Sequence, residues 1–168
     1  MKKLNKFFFV SLASALIASS AICTFANTSE PTSKEITLDG EVGTVIYGDG
    51  VIFKRVADDA FPKQTRESTE GFTVTLDGNK SLTKQINLTK TQGYWKVWIK
   101  NKGTKAIKYS TTGSQNSDVY SIPAGETWNV YSTKKWSAGT YNANFTCGSG
   151  MAGQAACRTA STFDELDI

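Results

Sequence analysis

The 168-residue sequence contains no histidine, and only three cysteines, three prolines and two methionines. Without histidine, the His-dependent serine and cysteine hydrolase triads and the usual zinc hydrolase sites fall away. No CxxC pair exists, since Cys147 and Cys157 stand ten positions apart, which removes the usual redox motif. No amphipathic stretch of helical period runs for ten residues or more, so there is no helix for a phosphate-cradling glycine loop to open. The Asp-Gly pairs at 39, 49 and 77 lack the ordered oxygen ladder of an EF-hand, and turn chemistry explains them. Carboxylates are sparse in the second part of the chain: between residues 72 and 163 only Asp77, Asp118 and Glu126 are acidic. Each lies in or beside a turn signal, which argues against a two-carboxylate glycosidase. The expectation is a protein that is not an enzyme and needs no metal or cofactor.

What is present begins with the leader. Lys2, Lys3 and Lys6 precede an apolar run from Phe7 to Ile17, and small residues lead to Ala26. This pattern predicts a cleaved secretory signal peptide over residues 1–26 and a secreted, extracellular or cell-surface location. The run is shorter than the roughly 20 apolar residues of a membrane span. Cys23 follows the bulky Ile22, a poor context for lipid attachment.

Beyond the signal the charge is unevenly spread. Residues 27–71 hold five basic and nine acidic side chains, residues 72–163 hold eleven basic and three acidic, and residues 164–168 hold three acidic and no basic. The predicted organisation is an acidic N-terminal segment over 27–71 with a β-hairpin and linker, then a basic β-body over 72–168 with a short acidic tail. The two acidic segments can fold over the body and neutralise it. With two cysteines left in an exported chain, Cys147 and Cys157 are expected to form a disulfide. Closing that short loop is worth about 3 kcal/mol.

Short alternating runs dominate the remainder. Three precede residue 57, including the hairpin TVIYGDGVIFKRV turning at Gly48-Asp49-Gly50. From Phe72 about eight more follow at regular spacing, separated by Asp-Gly, Asn-Lys-Gly and Pro-Ala-Gly turns. The prediction is an all-β fold, an antiparallel β-sandwich of jelly-roll or immunoglobulin-like type with about eight short strands. The stretch SIPAGETWNVYS…KKWSAGTYNANFTC resembles secreted β-sandwich modules, and that resemblance implies a fold class alone.

The strand Tyr94–Lys100 carries the most suggestive chemistry. Alternation puts Trp95, Val97 and Ile99 toward a core and Tyr94, Lys96, Trp98 and Lys100 on the other face. Lys108 on the next strand can extend the patch. Aromatic faces flanked by ammonium groups suit a sugar ring, an anionic polymer or a headgroup zone. The alternative is that the N-terminal hairpin covers Trp98 and the lysines only solvate the sheet. A second polar set, Asn129, Asn142 and Asn144, lies near aromatics, as amides do in sugar sites, though outward polar residues of a sheet have the same pattern. The expected function is binding of an extracellular or cell-wall polymer, glycan or anionic, without catalysis. The alternatives are a membrane-active toxin or bacteriocin-like protein docking on anionic lipid, and a structural or interaction module. No nucleic acid is expected.

Overall fold

The computed structural model describes residues 34–61, 68–112 and 118–166. The predicted signal peptide, Cys23 and the polar leader up to residue 33 lie outside the described residues. Eleven strands run in chain order: β1 (Glu35–Thr37), β2 (Val45–Tyr47), β3 (Val51–Val56), β4 (Thr69–Thr75), β5 (Ser81–Leu88), β6 (Tyr94–Asn101), β7 (Ile107–Thr112), β8 (Val119–Ile122), β9 (Thr127–Ser132), β10 (Gly139–Thr146) and β11 (Gly153–Ala160). The described residues contain no α-helix; a single 3-10 turn spans Asp164–Leu166.

The strands form two sheets, one ordered β1-β8-β7-β10-β5 and the other β2-β3-β9-β6-β11-β4. The wiring is nested: β4 pairs with β11, β5 with β10, β6 with β9 and β7 with β8, all antiparallel. A long ribbon of paired strands has been rolled up, and the β11–β6 and β10–β7 pairings zip the roll into two sheets. This is jelly-roll topology, one of the two sandwich types predicted. The eight runs expected from Phe72 onward are β4–β11. β3 adds to β9, β2 adds to β3, and β1 joins β8 in parallel, so these first strands extend both sheets.

Inward side chains of the two sheets meet in one core. Phe53 of β3 packs on Tyr120 of β8 with ring centroids 4.1 Å apart, and Tyr109 of β7 packs on Phe145 of β10 at 5.4 Å. Trp136 closes one end, lying edge-on to Trp95 at 5.0 Å and to Tyr141 at 4.8 Å. The inward set predicted for β6, Trp95, Val97 and Ile99, is fully buried here.

A bulge in β4 matters for the surface. Cys157 opposes Phe72 but Arg158 opposes Glu70, so Gly71 is the extra residue. A Cβ at Gly71 would lie 3.0 Å from the Cys157 Sγ, a tight contact that favours glycine. The inserted residue flips the parity of β4. Glu70 thereby reaches the outer face, where a carboxylate oxygen lies 3.7 Å from the Arg158 guanidinium.

The predicted Cys147–Cys157 disulfide is not formed; both are free, buried thiols. Cys147 follows the end of β10, whereas Cys157 lies mid-strand in β11, four residues beyond Gly153. Those four residues cover about 13 Å of strand, while a disulfide requires Cα atoms within about 7 Å. The short loop in sequence is an arch between two sheets, and the strand it feeds carries Cys157 away.

Candidate functional site

On β6, Tyr94, Lys96, Trp98 and Lys100 lie on the outer face of the six-stranded sheet. An open aromatic platform is not what forms there: Trp98 is only 2 % exposed and Lys96 5 %. Lys108 does not join them. The chain crosses to the other sheet between β6 and β7, and Lys108 there pairs with Glu35 at 2.8 Å.

Two segments fold back over this face. Ala57–Phe61 forms a strap whose five residues are all exposed. The Phe61 ring lies edge-on to Trp98, centroids 5.0 Å apart. Lys100 donates to the Asp58 carbonyl. The Asp58 carboxylate accepts from the Thr127 hydroxyl at 3.1 Å and lies 3.5 Å from the Arg55 guanidinium. Further along, Ser161–Leu166 covers the lower half. Lys96 donates to the Leu166 carbonyl and stands 5.3 Å from the centre of the Tyr131 ring, which also contacts Phe163. Glu165 holds this segment in place by accepting from the Ser161 hydroxyl and from the Ser161 backbone N–H. Those bonds keep its carboxyl below the usual glutamate range.

Register makes the centre of the face a two-by-two block, with Trp98 opposite Asn129 and Lys100 opposite Thr127. Beside it, Arg158 opposes Lys96. Three polar atoms here are buried without a hydrogen-bond partner among the described residues: Trp98 Nε1, Asn129 Oδ1 and Arg158 Nε. Each such group costs about 1–3 kcal/mol when left unmade. Asn129 gained little weight from sequence, where it reads as an ordinary outward amide. Its significance comes from lying opposite Trp98 under a cover.

The outer face of the five-stranded sheet is a contrasting surface. Across β5, β10 and β7 it presents the rows Gln85–Asn142–Thr112 and Thr83–Asn144–Ser110. All six side chains are neutral hydrogen-bonding groups, half-buried or exposed. Three of them brace one another: Thr83 donates to Asn144 at 2.9 Å, and Asn144 donates to Thr112 at 3.3 Å. A third row continues the pattern, with Thr140 donating to Asn87 at 3.0 Å. Asn142 and Asn144, noted in the sequence, therefore come together with hydroxyls from both neighbouring strands. Lys108 stands at the rim of this face, opposite Thr146.

Between the sheets, a cleft lined by Tyr109, Thr111, Asp118 and Tyr120 is water-sized, too small for a sugar. Burial pushes the Tyr109 hydroxyl and the Cys157 thiol far up, so both stay protonated and neither supplies a nucleophile.

No family model matches the chain, and no curated protein matches it. Among solved structures it is similar to an exo-β-1,3-galactanase from Phanerochaete chrysosporium, determined with galactose, at 14 % identity and a TM-score of 0.32. The likeness covers 64 % of this chain and 32 % of the galactanase chain.

Proposed function

We propose that this protein is an exported, non-catalytic module that binds a neutral glycan through the outer face of its five-stranded sheet. The observation that carries the reading is the braced array of amides and hydroxyls on β5, β10 and β7. A glycan offers hydroxyls that both donate and accept, and Asn, Gln, Ser and Thr can answer either way. Mutual hydrogen bonds hold these side chains in place before a ligand arrives, which lowers the ordering cost of binding. The six positions at the centre of the face carry no charge, so binding there is insensitive to salt. Attachment through surface lysines would instead weaken as salt rises.

The test is retention of the mature protein on isolated cell wall and on insoluble neutral glucans at two salt concentrations. Replacing Asn142 and Asn144 together by alanine is expected to reduce retention at least tenfold. Stability should change little, by about 0.5 kcal/mol per position, as is usual for surface positions. Unchanged retention of that variant sinks the reading. Release of reducing ends from the bound glucan would refute the absence of catalysis. Salt-sensitive binding to anionic liposomes in place of glycan would favour the membrane-active alternative.

A further inference from the structure

We infer that the block formed by Trp98, Lys100, Asn129 and Thr127 is a second binding site, for a hydroxylated ring bearing a carboxylate, and that the strap Ala57–Phe61 is its built-in occupant. A uronate unit of an acidic polysaccharide has this chemistry.

The strap imitates such a ligand group by group. Phe61 sets a ring against the Trp98 indole. Asp58 sets a carboxylate against the Thr127 hydroxyl and the Arg55 guanidinium, and its carbonyl takes the Lys100 ammonium. It is an incomplete imitation. The Trp98 indole N–H and the Asn129 carbonyl oxygen remain buried and unpaired beneath it. A phenyl ring has no lone pair for the first and no donor for the second, whereas a sugar ring carries a hydroxyl acceptor for the first and a hydroxyl donor for the second. A sugar ring also presents an apolar face to the indole, and its carboxylate can replace that of Asp58 between Thr127 and Arg55. The occupant is lightly held, with Phe61 46 % exposed and the Asp58 side chain 59 % exposed. Because the strap and the ligand compete for one site, affinity is reduced by the fraction of molecules in which the strap is seated.

This inference extends the polymer-binding reading to a second face and does not depend on the first one, because its variants and its probe are different. Trigalacturonate and the neutral maltotriose are titrated calorimetrically into the mature protein and into an Asp58→Ala/Phe61→Ala variant. The variant is expected to bind trigalacturonate at least tenfold more tightly than the parent, with no gain for maltotriose. Lys100→Met in the opened background should abolish that gain, and Trp98→Phe, which keeps an aromatic ring but removes the indole N–H, should reduce it. An opened variant with native near-UV dichroism that binds trigalacturonate no better than the parent overturns the site. So does a gain that survives Lys100→Met. Should the double variant fail to fold, Asp58→Asn alone is the substitute. It is expected to show a smaller gain in the same direction, and unchanged affinity would overturn the proposal.

Discussion

Cys157 sits mid-strand between Val97 and Phe72, with its thiol fully buried among core residues. Burial keeps that thiol protonated, the neighbouring Arg158 opposing the effect only in part. A protonated, enclosed thiol is unreactive. Cys157 is therefore expected to resist an alkylating reagent in the native protein and to react at once in urea. Dithiothreitol should leave the melting temperature unchanged, because no bridge contributes to stability. A fall of several degrees on reduction would restore the disulfide that cysteine parity suggests. The single-residue lesson is that compartment and parity speak to the chemistry available to a thiol. The placement along the strands decides whether two thiols can meet, and here Cys147 lies past the end of β10 while Cys157 sits mid-strand in β11.

At the scale of elements, alternation was an accurate guide and stopped at a definite point. Each predicted run corresponds to a strand, and the inward set Trp95, Val97 and Ile99 is the observed one. Parity assigns a side chain to a face but cannot say what lies over that face. Trp98 lies on the outer side that alternation gives it, yet Phe61, far from it in sequence, lies edge-on against it. Lys108 follows β6 closely in sequence, but the sheet crossing before β7 puts it on the other sheet. The braced amide face was only half visible, since Asn142 and Asn144 gain meaning from the register that sets Thr83 and Thr112 beside them. The covering segments make an element-level prediction of their own. Glu165 has its carboxyl lowered chiefly by the Ser161 hydroxyl bond. A lowered value means that its contribution is fully present above the ordinary glutamate range and is lost as pH falls through the depressed value. Protection factors at Ser161 and Thr162, exchange rates corrected for the intrinsic pH dependence, are thus expected to fall as pH drops through the depressed value while core amides stay protected. In Glu165→Gln, fast exchange at these two positions should persist at neutral pH. Equal exchange in both proteins at neutral pH would mean the turn is held by Phe163 and Leu166 instead.

For the molecule as a whole, the nested wiring sets how much of the chain the fold needs. Within the roll β4–β11, only β7–β8 is a local hairpin, and each further pairing of the ribbon joins strands more distant in sequence, up to β4 with β11. Such a topology is expected to fold slowly, since long loops must close before their contacts form. The eight strands β4–β11 complete the roll among themselves, which raises the question of what β1–β3 add. The core gives a physical answer: Phe53 of β3 is fully buried, and its ring meets Tyr120 across the sandwich at 4.1 Å. The β3 backbone also pairs with β9 over its whole length, from Val51 opposite Ser132 to Val56 opposite Thr127. If the acidic segment is thus part of one cooperative unit, Phe53→Ala should cost about 3–5 kcal/mol, the usual loss for a buried phenylalanine. Val45→Ala on the exposed side of β2, where the side chain is 42 % exposed, should change stability by no more than about 0.5 kcal/mol. Urea unfolding followed by tryptophan fluorescence measures both, since Trp95, Trp98, Trp128 and Trp136 all lie in the eight-strand roll or its loops. A single transition that shifts strongly for Phe53→Ala makes eleven strands the folding unit. A loss below about 1 kcal/mol, with the transition otherwise intact, would make β1–β3 an appendage on a self-sufficient roll. The contribution of the Phe53–Tyr120 contact would then belong to the local stability of β1–β3, which would open below the global unfolding free energy.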